Sequence, residues 1–304
     1  MANQEKVKIN NKEISLSKTD KMFYPDSDIT KADIIEYYRK IWNNIAPYAT
    51  DRPMVMQRFP DGIQKQGFFQ KKISDYFPDW IDTIEIKEKE SNEKAQYVNC
   101  NKEETIVYLA NQGAIVLHGW LSKKSNLNQP DKMIFDLDPS DNDFGKVRKG
   151  ALLLKEILDQ GNIHSYPLIT GSKGIHIVIP LKEKDDFDDI RDMAKQIAGI
   201  VTKRDDKNFT TETSKNKRGN KVFVDYLRNS YGQTSILPYS LRAVESAPVA
   251  VPLAWDEIKD KELGPQKYNI SNIFYRISQK RDPWKEMNKN AVDLMEIKHK
   301  LSDQ

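Results

Sequence analysis

The sequence predicts a mixed α/β fold, with a central sheet carrying aspartates and helices packed outside it. Three observations predict it. Apolar residues recur at helical spacing over 29–49, 144–160 and 187–203. Short β-branched and aromatic runs fall at 132–138, 165–170, 175–181 and 222–227. Polar, glycine-bearing turns separate the two kinds of segment.

In chain order, "ITKADIIEYYRKIWNNIAPYA" comes first. Thr30 can cap this helix, Asp33 lies three residues on, and Ile34, Tyr37 or Tyr38, Ile41 and Ile45 form its apolar stripe. Residues 82–104 alternate at both ends and are charged between, the pattern of a hairpin with a solvated tip. "TIVYLANQGAIVLHGW" reads as a helix or strand, then Gly113, then a strand ending at His118. Strand "KMIFDLD" leads into helix "FGKVRKGALLLKEILDQ", for which Gly161 is the expected C-cap. Strand "SYPLIT", turn "GSKG" and strand "IHIVIPL" precede the helix at 187–203, whose acidic start "KDDFDDIRD" suits the helix dipole. Residues 204–221 read as loop, "VFVDYL" as strand, and the segment after Pro248 as helices wrapping the core. No repeat or low-complexity linker interrupts the chain, so 1–304 reads as one globular unit.

Composition excludes several classes. No apolar run approaches the ~20 residues of a membrane span, and "MANQEKVKIN" lacks the apolar core of a signal peptide. Cys100 is the only cysteine, which removes a disulfide framework and a Cys-based zinc site. A cytoplasmic location is expected. The net charge of +3 sums 48 basic and 45 acidic residues, so local clusters decide any preference for nucleic acid.

The chemistry begins at "DKMIFDLDPSDNDF", where Asp136 and Asp138 are two residues apart on one strand face. Two like charges ~7 Å apart repel by about 2 kcal/mol at an effective dielectric near 20. A hard divalent cation reverses that penalty. The plainer alternative is that one aspartate opens the loop and the other caps the next helix. Asp225 in "VFVDYL" adds a third strand-borne carboxylate, and three such groups are what a two-metal phosphoryl-transfer site needs. In "TGSKGIHIVIPL" two glycines bracket Ser172 and Lys173, leaving backbone N–H groups to face an anion, and His176 opens the next strand. Alone, that block reads equally well as a tight hairpin with an exposed lysine and a core histidine. The G-x-x-x-x-G-K-[ST] phosphate loop is absent.

Taken in order, "FDLDPS", "TGSKGIHIVIPL" and "VFVDYLRN…GQTSILPYSLRA" resemble the signature blocks of the archaeo-eukaryotic primase superfamily. The likeness is strongest to the polymerase domain of bacterial ligase D, and it extends through "LSKTDKMFYPDSDITKADIIEYY", "RPMVMQRFPDGIQKQGFFQK", "LANQGAIVLHGW" and "APVAVPLAW". The resemblance implies sheets of primase-polymerase type and addition of nucleotides to DNA 3′-ends at gaps and breaks during end joining. Asp136, Asp138 and Asp225 would ligate two divalent cations, Mn²⁺ or Mg²⁺, with Asp225 helping to activate the 3′-hydroxyl. Ser172, Lys173, His176 and Arg242 would hold the triphosphate, and Thr170 stands where the family usually has Ser. His118 corresponds to a position near the sugar, implying a preference for ribonucleotides. Lys21 and Lys31 match residues that grip a downstream 5′-phosphate, Phe68 and Phe69 are candidates to stack on a template base, and Arg218 matches an active-site arginine on the DNA side. Gln57 stands where the family often has Lys. The implied partners are gapped DNA, NTPs or dNTPs, a DNA ligase outside these 304 residues, and the Ku end-binding protein.

Two rivals compete. A phosphatase of the haloacid dehalogenase type would use Asp136 as nucleophile, but its D-x-D would not lie mid-chain and Asp225 would have no task. A DNA-end-binding module without catalysis would not need all three carboxylates.

Overall fold

The computed structural model describes residues 5–87 and 93–302. These fold as two compact units, Met1–Trp120 with Ile236–Val249, and Leu121–Ser235 with Ala250–Gln304. Each unit is assembled from two separate stretches of the chain.

In the first unit, β1 (Lys6–Ile9) and β2 (Lys12–Ser15) form a hairpin, and β3 (Met22–Tyr24) pairs with β4 (Ile29–Thr30). Helix α1 (Lys31–Ala49) begins with the expected capping box: the Asp33 N–H donates to Thr30 Oγ1, and the Thr30 N–H donates to the Asp33 carboxylate. Ile34, Ile41, Ile45 and both tyrosines are buried. Tyr37 and Tyr38 can both face inward because their hydroxyls donate to the Tyr239 and Ile115 carbonyls. Next come β5 (Pro53–Arg58), β6 (Phe68–Gln70), β7 (Thr83–Lys87), β8 (Lys94–Asn99), α2 (Glu103–Asn111) and β9 (Ala114–Trp120). The strands build an antiparallel sheet in the order β9-β5-β8-β7, with β6 also on β5. The hairpin expected at 82–104 exists as β7 and β8, with Ile84 and Ile86 buried, while its tip at 88–92 lies outside the described residues. The ambiguous run before Gly113 is helix α2, and Gly113 turns the chain at φ +77°. Strand β9 runs two residues beyond His118.

The second unit holds β10 (Lys132–Pro139), α3 (Phe144–Gln160), β11 (Tyr166–Ile169), β12 (Ile175–Pro180), α4 (Phe187–Arg204), β13 (Phe209–Thr210) and β14 (Val222–Asp225). The chain crosses back to the first unit through β15 (Thr234–Ile236). It later returns with β16 (Val251–Pro252), α5 (Trp255–Ile258), α6 (Ile273–Gln279) and α7 (Leu294–Ser302). One six-stranded sheet, β13-β14-β10-β12-β11-β16, forms the unit's centre. Helices α3 and α4 pack against β10 with Leu154, Ile157, Ile190 and Ile197 buried.

Gly161 is the α3 C-cap as expected, with φ −89°, and the left-handed residue is Asn162 at +50°, a conformation Asn tolerates. Two local expectations need correction. The 204–221 stretch contains a strand because Phe209 is buried against Gly150, where a Cβ would come within 2.7 Å of its ring. This lets Phe209–Thr210 pair in parallel with β14. The segment after Pro248 also opens with a strand, β16, whose Pro252 is tolerated because β16 lies at the sheet edge.

Candidate active site

Strand β10 lies between β14 and β12, and its register sets the site. Asp136 stands directly opposite Asp225 on one side and His176 on the other. Opposed residues on antiparallel strands hold their Cβ atoms ~4.5–5.5 Å apart on a shared face. Asp138, two residues along, shares that face opposite Phe223 and reaches Asp225 diagonally, ~7–8 Å away. The three carboxylates thus converge from two strands. Neither Asp136 nor Asp138 caps α3. Asp143 does, accepting from the Gly145 and Lys146 N–H groups, so the plainer account of the D-x-D pair does not hold.

The charge of this face is compensated by a residue that the sequence reading left without a role. Arg228 donates through Nε and Nη2 to Asp136 Oδ2, at 2.7 and 2.6 Å, and its Nε lies 3.9 Å from Asp225 Oδ2. His176 Nε2 is 3.5 Å from Asp136 Oδ1. Burial pushes the Asp136 carboxyl up, but His176 and Arg228 together hold it well below the usual carboxylate range. Asp225 and Asp138 are raised, first by burial and then by the Asp136 charge. Asp225 is oriented by the Leu227 N–H, which donates to its Oδ1 at 2.8 Å. Asn229, fully buried, locks the turn that carries Arg228. Its Nδ2 donates to the Ile134 and Tyr226 carbonyls, and its Oδ1 accepts from the Ile134 N–H.

Among the described residues no three His, Cys, Asp or Glu side chains form a ready metal cage. The donor set still fits a hard divalent ion: three carboxylates on one sheet face. What stands in the way is the guanidinium on Asp136.

The turn before β12 differs from expectation. The Thr170 hydroxyl accepts from the Ser172 and Gly174 N–H groups and lies 3.1 Å from the Gly174 carbonyl, so two of the N–H groups expected to face an anion are engaged within the turn. Gly171 turns at φ +69°, and a Cβ on Gly174 would sit 2.5 Å from the Leu137 carbonyl oxygen. Lys173 is exposed at the tip. Arg218 is buried, stacked 3.7 Å over the Phe223 ring, and donates to the Glu212 and Thr213 carbonyls. Phe223 faces the way Asp138 does, so Arg218 belongs to the carboxylate face.

The first unit carries the remaining candidates. His118 lies on β9, its ring 6.0 Å from that of Phe69. Both Phe68 and Phe69 are exposed, at 47% and 61%, and Arg58 lies over Phe68. Gln57 is on β5, opposite Phe69. Arg242 is fixed by its backbone, its N–H donating to Pro248 and its carbonyl accepting from Tyr24. Lys21 donates to the Pro60 carbonyl and pairs with Asp61. Lys31 is buried, donating to the Ser17 carbonyl and hydroxyl. Burial, then the charges of Lys18 and Lys21, lower its pKa to about 8. Lys18 carries no sequence signal beyond its closeness to Lys21 along the chain, and Asp61, 40 residues from Lys21, carries none. Arg228 had one, its position three residues after Asp225.

A mixed sheet that brings three carboxylates to one face is the arrangement a metal-dependent phosphoryl-transfer enzyme needs. Residues 30–284 match the family described as LigD, primase-polymerase domain. The bifunctional non-homologous end joining protein LigD of Bacillus subtilis is 32% identical over 95% of this chain and 46% of its own length. The multifunctional LigD of Mycolicibacterium smegmatis is 30% identical over 82% of this chain and 33% of its own. The polymerase domain from Mycobacterium tuberculosis ligase D, solved in complex with DNA, superposes with a TM-score of 0.84 at 25% identity, covering 91% of this chain and 99% of that one. The chain belongs to the LigD primase-polymerase domain family. It spans less than half the length of these curated relatives. Family membership also removes the phosphatase reading. No helix among the described residues is long and apolar enough to cross a membrane.

Proposed function

We propose that this chain adds nucleotides, preferring ribonucleotides, to DNA 3′-ends at gaps and double-strand breaks, acting in the cytoplasm on ends that Ku holds and a DNA ligase seals. The observation that carries this is the register of Asp136 against Asp225 with Asp138 beside them. Asp136, Asp138 and Asp225 would hold two divalent cations, Mn²⁺ or Mg²⁺. When bound, those ions supply charge stabilisation for the attacking and leaving oxygens. The chain's own residues do the rest. Asp225, its carboxyl raised by burial and by Asp136, is suited to receive the 3′-hydroxyl proton. Thr170 keeps the 171–174 turn closed, so that Ser172 and Lys173 present a hydroxyl and an ammonium to the triphosphate, alongside His176. Arg242 is assigned to the triphosphate as well, and His118 to the ribose, whose 2′-OH both donates and accepts. Arg218 screens Asp138. Lys21 and Lys31 are assigned to the 5′-phosphate across the gap, and Phe69 to a template base, since aromatic stacking is worth ~1–3 kcal/mol per base.

Extension of a gapped duplex with each NTP and dNTP, under Mn²⁺ or Mg²⁺, tests this. Elongation with ribonucleotides favoured is expected. A gel shift without elongation would mark a DNA-end-binding module instead.

A further inference from the structure

Asp136 spends both carboxylate oxygens inside the protein. Oδ1 faces His176, and Oδ2 accepts two guanidinium hydrogen bonds from Arg228. A divalent cation shared between Asp136 and either neighbouring aspartate must approach one of these oxygens to ~2.0–2.6 Å. The guanidinium, aimed at Oδ2 and 3.9 Å from Asp225 Oδ2, lies between the two carboxylates such an ion would bridge. We propose that Arg228 is a built-in counter-cation of the carboxylate face, and that it must leave Asp136 before a divalent ion binds there. The inference rests on the reading of Asp136, Asp138 and Asp225 as metal ligands.

Two features make the exchange workable. The Arg228 side chain is 35% exposed, so it has solvent to move into. The backbone around it need not move, because Asn229 and the Leu227 N–H pin the turn to β10 and to Asp225. With Arg228 on Asp136, burial of that carboxylate is compensated. With Arg228 removed and no ion bound, the face holds three acidic groups and has lost the guanidinium that contacts Asp136 and Asp225. Ion binding and the Arg228–Asp136 pair are therefore competing states, and competition of this kind is reciprocal.

The test is Mn²⁺ binding to the full chain, without DNA or nucleotide, read by the electron paramagnetic resonance signal of free Mn²⁺. Arg228→Gln is expected to bind Mn²⁺ roughly 10-fold more tightly than the unaltered chain, within the usual range of coupling between linked sites. Its metal-free melting temperature should fall, and added Mn²⁺ should recover more than it does for the parent. Equal or weaker binding would overturn the proposal and make Arg228 a support for the metal ligands. A second measurement needs no substitution. In the parent chain labelled with ¹⁵N-arginine, the Arg228 Nε–H resonance should shift when Mg²⁺ saturates the site, and a resonance that stays in place overturns the proposal even if the variant fails to fold. Primer extension by the parent chain separates the two levels: extension with no change at Arg228 removes this inference and leaves the polymerase reading standing.

Discussion

Asp136 in the second unit and Lys31 in the first are both buried charges with opposite surroundings. Asp136 meets a guanidinium and an imidazole. Lys31 meets a carbonyl and a hydroxyl, with Lys18 and Lys21 nearby. Both pKa values fall, for contrary reasons. Asp136 falls because cations favour its charged form against burial, whereas Lys31 falls because burial and like charges disfavour its charged form. A compensated charge must be uncovered before it takes a ligand. An uncompensated one gains directly from an anion. The difference separates the cation exchange proposed at Asp136 from the phosphate contact proposed at Lys31.

The largest effect should come from deepening the contrast at the carboxylates. Asp225→Ala removes one of the three carboxylates proposed to hold metal while leaving Arg228 on Asp136. Nucleotide addition should fall by roughly three orders of magnitude or more, the equivalent of about 4 kcal/mol of lost charge stabilisation. Primer extension checks this, with circular dichroism unchanged. Next, Lys31→Ala should cut the preference for a gap bearing a 5′-phosphate over one bearing a 5′-hydroxyl by about 10-fold or more, the usual worth of a hydrogen bond to a charged group. Equal affinity of the parent chain for the two gaps would take Lys31 and Lys21 out of the DNA site. A milder version uses pH alone. Lys31 is charged below its pKa of about 8 and loses that charge above it, so the same preference should decline as pH rises from 7 to 9 in fluorescence anisotropy. The smallest test concerns the scaffold beside Asp136. Thr170→Ser keeps the hydroxyl and should leave melting temperature and extension within a few-fold. Thr170→Val leaves the Ser172 and Gly174 N–H groups without that acceptor and should cost about 1–3 kcal/mol in a denaturation curve.

Much of this was legible in sequence because it is local. The Thr30–Asp33 capping box, the stripe of α1 and the span of α3 follow from residue types within a few positions of one another. The D-x-D pair and Asp225 were visible as strand-borne carboxylates. Their direct opposition was not, because it depends on the register of strands almost ninety positions apart, which only the folded sheet fixes. The same limit hid Arg228. Its partner Asp136 precedes it by 92 residues, and a basic residue after a strand ordinarily faces water. Strand β13 is not legible locally because the charge and Asn/Ser/Thr of its surroundings outweigh one aromatic, Phe209, whose burial against Gly150 draws the segment to the sheet edge.

Asn229 has a kinetic corollary. By bolting the turn to both the N–H and the carbonyl of Ile134, it leaves the neighbouring arginine only torsional freedom. Rotamer hops of partly exposed side chains take picoseconds to nanoseconds, and loop rearrangements take up to microseconds. The exchange proposed for Arg228 therefore asks for a turn of one side chain and no rearrangement of the loop that carries it.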